Sequence, residues 1–148
     1  MKFLLNSILD TLPTNTNLAL WNKRVSESCK LCGSRETLGH VLNGCKVMLE
    51  QQRYTWRHNN VLSQIKTSIT SVIENDDITV YCDLPGSGHF TIPPDLVPTT
   101  DRPDLVIIDR LQKEIHILEL TVCFESNQKK AHEYKSEKYN PLLIDLTR

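Results

Sequence analysis

The sequence predicts a mixed α/β fold in which a helix, three strands, a second helix and a final strand follow one another. Apolar residues recur at helical spacing across residues 50–73, with no proline among them, and predict the first helix. Apolar runs rich in β-branched residues predict strands at residues 78–82, 105–109 and 115–124. A segment containing cysteines and a histidine lies upstream and predicts a small separate module after short N-terminal helices.

Short helices are predicted before the long one. Residues 3–12 form an amphipathic stretch that stops at a proline, and residues 17–21 form a second, shorter piece. Residues 37–49 are predicted as a helix that breaks at an Asn-Gly pair. The helix over residues 50–73 is expected to be the longest in the chain.

The strands are followed by one more helix and one more strand. Before the second strand, residues 84–102 form a long connection rich in proline and glycine, and loops of that length usually have a function such as covering a site. The second and third strands are expected to pair as a hairpin. Residues 127–139 are predicted as a helix, capped by Ser126 and ending before Pro141, and residues 142–146 as the final strand.

Length and composition predict one ordinary globular domain plus a small appendage. The chain has 148 residues, 39% of them hydrophobic, and its apolar runs are far shorter than the roughly 20 residues of a membrane span. The first residues contain one lysine and few apolar side chains, which predicts no signal peptide. Five cysteines, an odd count, argue against a disulfide framework. We therefore expect a nuclear or cytoplasmic protein that is not secreted.

The net charge of −1 hides an uneven distribution. Residues 21–66 carry eight Lys/Arg and three Asp/Glu, whereas residues 67–128 carry three Lys/Arg and eleven Asp/Glu. The last twenty residues, 129–148, have a net charge of +2. A basic module beside an acidic one is typical of a phosphate-binding surface next to a cation-binding pocket. Ordinary clustering of charges on solvated faces is the alternative.

The Cys/His segment, residues 23–50, has the spacing Cys29-x2-Cys32-x7-His40-x4-Cys45. Thiolates and imidazoles at such spacing suit one tetrahedral Zn2+ ion. Because all four positions are filled by the protein, no open position is left for an activated water, so the ion should be structural. The alternative is a set of buried cysteines beside an unrelated histidine.

Basic side chains surround the Cys/His segment and predict contacts with the phosphates of a nucleic acid. A protein-contact role is the alternative. The basic residues are Lys23, Arg24, Lys30, Arg35 and Lys46.

The acidic region offers a second site. Asp104 starts a predicted strand and Glu119 lies in its hairpin partner, so both carboxylates can project into one cleft, where the carbonyl of Leu120 can add a further oxygen. Such a cage suits the Mg2+ or Mn2+ that phosphodiester cleavage requires. Asp109 is another candidate in looser register. An unpaired Glu119 inside an apolar run would be costly, although a solvent-facing carboxylate pair remains the alternative.

These residues give the chain a resemblance to the PD-(D/E)xK nuclease superfamily, whose restriction-endonuclease-like core has the same α-β-β-β-α-β order. More specifically, the chain is similar to the C-terminal part of site-specific retrotransposons without long terminal repeats, in which a CCHC zinc knuckle precedes a restriction-like endonuclease. The resemblance covers the chain from about residue 18 to its end. We expect an N-terminal helical segment (residues 1–22), a knuckle (23–50) and a nuclease domain (51–148). The matching residues are Cys29, Cys32, His40, Cys45, Arg57, His58, Asn59, Arg102, Pro103, Asp104, Glu119, Lys135, Lys138 and Tyr139.

The resemblance implies nicking of a DNA target from which a reverse transcriptase primes, with Mg2+ held by Asp104 and Glu119. The chain contains no polymerase, so the resemblance implies that it is a fragment of such a retrotransposon protein or a separately encoded relic of one. One position departs from the superfamily pattern, because Thr121 stands where the lysine of (D/E)xK would be. In this nuclease type the lysine lies on the following helix, which makes Lys135 or Lys138 the candidate. Both lysines equally fit a solvated helix face.

The resemblance also assigns roles to residues outside the carboxylate pair. Tyr139 would help to position the backbone phosphate, while Arg57, His58 and Arg102 would lie near the cleft or touch DNA. A surface pair is the alternative for Arg57 and His58.

Two other functional classes compete with a nuclease that acts on DNA. One is a catalytically inactive, zinc-containing module that binds DNA or RNA, and the other is a zinc-held protein-interaction domain. The sequence predicts neither a membrane partner nor a small-molecule substrate, and it leaves the oligomeric state open.

Overall fold

The computed structural model describes residues 2–23, 26–73, 75–87, 92–123 and 127–147. The chain divides into two compact units, Met1–Trp56 with Cys123–Glu125, and Arg57–Val122 with Ser126–Arg148. The helices are α1 (Lys2–Ile8), α2 (Asn15–Leu20), α3 (Lys46–Glu50), α4 (Arg53–Thr70) and α5 (Gln128–Leu146), with a π-helical turn at His40–Gly44. The strands are β1 (Ile78–Cys82), β2 (Leu105–Asp109) and β3 (Glu114–Leu118). No helix in the described ranges is long and apolar enough to cross a membrane.

The three strands form one antiparallel sheet in the order β1-β2-β3, so the predicted mixed α/β class is confirmed. The central strand β2 is buried on both faces. On one face Leu105 packs with Leu62 of α4, and on the other Val106 packs with Tyr139 and Leu142 of α5. Alternate strand residues point to opposite faces, which explains why β2 is a continuous apolar run rather than an alternating one.

The first two strands have the predicted bounds, but β3 ends at Leu118, well before residue 124. The reason lies in the next two residues. The Leu120 N–H donates to the Asp104 carboxylate at 2.8 Å, and the Glu119 carboxylate accepts from the Asp104 N–H at 3.1 Å. Beyond Leu118, hydrogen bonds between side chains and the backbone thus replace the backbone hydrogen bonds that pair β2 with β3.

The predicted final strand is wrong, because α5 continues through Pro141 to Leu146. Proline inside a helix removes one backbone hydrogen bond and costs about 3 kcal/mol. Here Tyr139, Leu142 and Leu146 follow one another at helical spacing and all pack on the sheet, which offsets that cost. The helix has 19 residues against 18 for α4, so the expectation that the upstream helix is the longest is also wrong. Ser126, the predicted cap, lies outside the described residues.

The N-terminal helices differ from the prediction at their ends. The first ends at Ile8 rather than residue 12, and Asp10 then adopts a left-handed φ of 50°. The second begins at Asn15, because the side chain of Thr14 accepts a hydrogen bond from the Asn17 N–H and caps the helix. The helix predicted at residues 37–49 is interrupted at Cys45, whose extended backbone separates the π-helical turn from α3.

Candidate functional site

The second unit contains a carboxylate–lysine cluster, which comprises the side chains of Asp104, Glu119 and Lys135 and the backbone carbonyl of Leu120. The Lys135 Nζ donates to Asp104 Oδ2 at 2.9 Å, to Glu119 Oε2 at 2.5 Å and to the Leu120 carbonyl at 2.7 Å. An ammonium has three N–H donors, so all three are used. The cluster therefore holds one cation between three oxygen atoms.

Two strand ends and one helix position the cluster. Buried Pro103 leads into β2 and places Asp104 just before the strand, while Glu119 follows β3 directly. The reciprocal bonds between Asp104, Glu119 and the Leu120 N–H fix these two ends to each other. The carboxylate side chains of Asp104 and Glu119 are each 15% exposed, so the cluster is largely shielded from solvent.

The charges in the cluster stabilise one another. Burial alone would raise the pKa of Asp104, but the hydrogen bonds from Lys135 and the Leu120 N–H outweigh it and lower that pKa. Burial alone would lower the pKa of Lys135, but the hydrogen bonds to Glu119 and Asp104 outweigh it and raise that pKa. Asp104 is therefore a carboxylate and Lys135 an ammonium at neutral pH.

These directions predict how stability depends on pH in the protein without divalent metal. Because folding lowers the pKa of Asp104, its contribution is present above the ordinary aspartate value of about 4 and is lost as pH falls through the folded value. Because folding raises the pKa of Lys135, its contribution is full below about pH 10 and is lost as pH rises through the folded value. In urea unfolding, we expect the stability difference between wild type and Lys135→Met to be largest between these limits and to shrink outside them. A difference independent of pH would contradict the prediction.

The second lysine predicted for the site has a different environment. The Lys138 Nζ donates to Tyr139 Oη at 2.8 Å and lies 4.5 Å from the ring centroid, and the Lys138 side chain is exposed. Tyr139 donates in turn to the Arg102 carbonyl at 3.0 Å. Burial, followed by the effect of Glu119, raises the pKa of Tyr139, which keeps it a neutral phenol. Of the two lysines, Lys135 is the one in the carboxylate–lysine cluster.

The residues predicted to lie near the cleft or touch DNA are placed differently from one another. The His58 Nε2 lies 3.4 Å from Asp104 Oδ2, so His58 belongs beside the cluster. The Arg57 guanidinium donates to the Val122 carbonyl at 2.9 Å, while Arg102 pairs with Asp83 on the exposed surface. No sequence pattern indicated the pairing of Arg102 with Asp83, because it depends on how the chain enters β2.

An open cavity of about 600 Å³ lies beside the carboxylate–lysine cluster, between α5 and the segment that follows β3. Glu119 and Lys135 line it, together with Thr121, His132 and Asn140. Sequence reasoning missed His132 and Asn140 as site residues. The available signal was that His132 precedes Lys135 by three residues, which places the two side chains on one face of a helix, and that Asn140 directly follows Tyr139.

The first unit contains a second site, in the Cys/His segment. One ligand atom from each of Cys29, Cys32, His40 and Cys45 lies within 4.8 Å of every other. Two of the thiols, Cys29 and Cys45, are buried, and Cys32 Sγ lies 3.3 Å from His40 Nε2. Four sulfur and nitrogen ligands at this separation can hold a tetrahedral metal ion such as zinc.

The local backbone prepares the thiols for metal binding. Gly33 has a φ of 77°, a left-handed conformation that suits glycine, and its N–H donates to the Cys29 carbonyl at 2.9 Å. Hydrogen bonds from Ser34 lower the pKa of Cys32 to about 6, which favours the thiolate that binds a metal. Burial raises the pKa of Cys29, so its thiolate needs a neighbouring cation.

Polar contacts from α2 and α4 support the Cys/His segment. The buried Asn15 donates through its side chain to the Ser28 carbonyl at 2.7 Å and through its backbone to the Glu36 carboxylate at 3.0 Å. From α4, the Tyr54 hydroxyl accepts from the Cys45 N–H at 3.0 Å. The same hydroxyl lies 3.4 Å from the His40 carbonyl, so it connects two of the four metal-ligand residues.

Replacing Tyr54 by phenylalanine is expected to weaken zinc binding. The variant keeps the ring but leaves the Cys45 N–H without its acceptor, which costs about 1 to 3 kcal/mol for a buried group and corresponds to roughly five- to a hundredfold in zinc affinity. Competition with a colorimetric chelator measures that affinity. Tyr134→Phe, at a position 67% exposed on α5, is the matched control and should bind zinc as wild type does. Equal affinity of both variants would refute the supporting role of Tyr54.

The basic residues predicted to contact phosphate are exposed where the structure describes them. The Lys30 side chain is exposed, and the Arg35 guanidinium is exposed and pairs with Glu27 at 2.6 Å. Arg24 lies outside the described residues. Lys30 and Arg35 are therefore accessible to a nucleic acid, although Arg35 has to exchange its carboxylate partner for a phosphate.

Comparisons of the chain with known protein families, with curated proteins and with solved structures give no match. The resemblance to retrotransposon nucleases therefore depends on the motif residues alone. The contacts in the carboxylate–lysine cluster and in the Cys/His segment are the basis for a functional proposal.

Proposed function

We propose that the protein is a divalent-metal-dependent DNA endonuclease of the PD-(D/E)xK type, which nicks a DNA target as the nuclease of a retrotransposon-derived protein. The observation that carries the proposal is the convergence of two carboxylate oxygens and one carbonyl oxygen on a single cation, the Lys135 ammonium, at 2.5 to 2.9 Å. Three hard oxygen donors in one place are the ligand type that Mg2+ and Mn2+ prefer.

The donor set fits a divalent ion. Asp104 Oδ2, Glu119 Oε2 and the Leu120 carbonyl would hold it. When bound, such an ion would polarise a phosphate oxygen and make a nearby water easier to deprotonate. In hydrolysis, the water oxygen forms a bond to phosphorus while the bond to the leaving sugar oxygen breaks.

Groups of the chain itself would support this chemistry. The Lys135 ammonium lies against the three oxygens of the proposed metal site and would stabilise the negative charge that develops on the phosphate. His58, 3.4 Å from Asp104, limits the orientations that the carboxylate can adopt. Buried Tyr139 is fixed to the Arg102 carbonyl and holds that stretch of α5 against the entry to β2.

The fold supports the proposal in part. A helix, three antiparallel strands and a second helix succeed one another as in the proposed superfamily, and the acidic residues lie at the ends of two adjacent strands. In the (D/E)xK pattern the lysine would stand on the strand, at the position of Thr121. Here Thr121 lines the same cavity as Glu119, and the lysine of the cluster comes from α5 instead. The described C-terminal residues form helix instead of the superfamily's final strand.

The Cys/His segment would bind a structural Zn2+ ion and help to hold the nucleic acid. Exposed Lys30 and Arg35 would contact phosphates without reading sequence. Binding through phosphates releases counterions, so affinity for DNA should fall steeply with added salt. Such a protein would act on DNA in the nucleus.

A second candidate function is a catalytically inactive nucleic-acid-binding module. The Lys135 ammonium pairs with both carboxylates, which is the observation that favours it. The two candidates differ in one experiment. Zinc-loaded protein is first shown to bind a DNA duplex by fluorescence anisotropy and is then incubated with supercoiled plasmid in Mg2+ or Mn2+, with buffer that lacks both ions as the control. Metal-dependent nicking supports the endonuclease, whereas salt-sensitive binding without nicking supports the inactive module.

A further inference from the structure

We infer that Lys135 and a divalent metal ion are mutually exclusive occupants of the carboxylate–lysine cluster, so that metal binding displaces Lys135 toward the neighbouring cavity. The inference deepens the proposed function and rests on it for the identity of the metal. The chain thus carries its own counter-cation, which offsets one of the two carboxylate charges until a metal ion replaces it.

The competition is inferred from the contacts of Lys135. Its three donors are directed to Asp104 Oδ2, Glu119 Oε2 and the Leu120 carbonyl, the same three oxygens that would hold the metal. Mg2+ binds oxygen at about 2.0 to 2.1 Å, so an ion bound to all three would overlap the position that Nζ now fills. The ammonium and the ion also repel each other in a site that is largely shielded from solvent.

The cavity provides a place for the displaced side chain. Lys135 lines the cavity of about 600 Å³ on α5, and its side chain is already 26% exposed. A lysine has a flexible four-carbon stem, which allows the ammonium to leave the carboxylates without any movement of the helix. In the cavity, Nζ lies next to the metal site rather than within it. That position suits contact with a phosphate bound to the same metal.

This competition predicts opposite effects of one substitution. In Lys135→Met the carboxylates lose their counter-cation, and a metal ion no longer has to displace it. Affinity for Mn2+ should therefore rise about tenfold, which lies within the usual range for coupling between two occupants. Nicking should fall, because the displaced ammonium is no longer available to the phosphate. Lys138→Met is the matched control, because Lys138 contacts Tyr139 and none of the three oxygens.

The experiment is a titration of the full zinc-loaded chain with Mn2+, followed by electron paramagnetic resonance of the free ion. We expect about tenfold tighter binding to Lys135→Met than to wild type, and wild-type binding to Lys138→Met. Equal or weaker binding to a folded Lys135→Met, or no Mn2+ binding by any of the proteins, would overturn the inference. Tighter binding without any plasmid nicking by wild type would leave the inference intact and refute the nuclease proposal.

A second measurement uses only wild-type protein, in case the unpaired carboxylates prevent Lys135→Met from folding. The zinc-loaded chain is acetylated briefly with and without Mg2+, and the modification of each lysine is quantified by mass spectrometry. We expect Mg2+ to increase the acetylation of Lys135 severalfold and to leave Lys138 unchanged. Unchanged acetylation of Lys135 at Mg2+ concentrations that support metal binding would contradict displacement.

Discussion

Replacing Asp104 by asparagine is expected to lower the rate of plasmid nicking by about a hundred- to a thousandfold, the loss typical when one preorganised electrostatic group is removed from an active site. One oxygen, Asp104 Oδ2, accepts from the Leu120 N–H and from Lys135 and lies beside His58. Asparagine has a similar shape but carries no charge, so the metal loses one anionic ligand. The fold should persist, because the amide oxygen can still accept from the Leu120 N–H.

The control for Asp104→Asn is Asp109→Asn, on the same strand. Asp109 was a looser candidate for the site, but it lies at the opposite end of β2, where its carboxylate accepts from the Gln112 N–H at 2.8 Å. Its substitution should leave nicking within about twofold of wild type, as expected for a surface change. Initial rates on supercoiled plasmid and thermal unfolding of each variant are measured together. Retention of nicking by a folded Asp104→Asn would exclude Asp104 as a metal ligand.

Loss of zinc is expected to unfold the Cys/His segment, the second large effect. The segment contributes few buried apolar residues, among them Cys29, Leu38 and Cys45, and two of these three belong to the group of four residues that could hold the metal. A structural Zn2+ contributes about 10 to 16 kcal/mol of apparent binding free energy in small zinc domains, far more than such a core supplies. Cys45→Ser, or a strong chelator, should therefore release the ion and expose residues 26–50 to proteases.

Zinc content and limited proteolysis test this prediction together. Wild type should contain one equivalent of zinc and resist cleavage within the segment, while Cys45→Ser should contain little zinc and be cut there. Cys123→Ser is the control, because Cys123 is not among the clustered ligands and should not affect zinc content. If Cys45→Ser retained a full equivalent of zinc, the assignment of that ligand would be incorrect.

The local pattern of apolar residues was sufficient to predict the bounds of the first two strands of the sheet. β1 and β2 have the predicted bounds because β-branched runs of five residues flanked by turn residues leave few alternatives. The four metal-ligand residues were also accessible from the sequence, since the short spacing of Cys29 and Cys32 allows both thiols to reach one ion without knowledge of the fold.

Tertiary contacts determine two features that the sequence pattern did not predict, the end of α5 and the placement of its lysines. Pro141 indicated a helix end, but the packing of Leu142 and Leu146 on the sheet carries the helix through it. Lys135 and Lys138 are equivalent in local sequence terms. Only the rotation of α5 against the sheet directs one into the carboxylate–lysine cluster and the other onto the Tyr139 ring. That rotation depends on every apolar contact along the helix.

The most direct test of the proposed metal-dependent nuclease compares wild type with Glu119→Gln on supercoiled plasmid in Mg2+. The substitution removes one charge from a ligand oxygen that contacts Lys135 at 2.5 Å and changes the shape of the side chain little. We expect zinc-loaded wild type to convert plasmid to open circles in Mg2+ but not in buffer without Mg2+, and Glu119→Gln to bind the same DNA without nicking it. Nicking by Glu119→Gln at the wild-type rate, or no nicking by folded, DNA-binding wild type, would contradict this expectation.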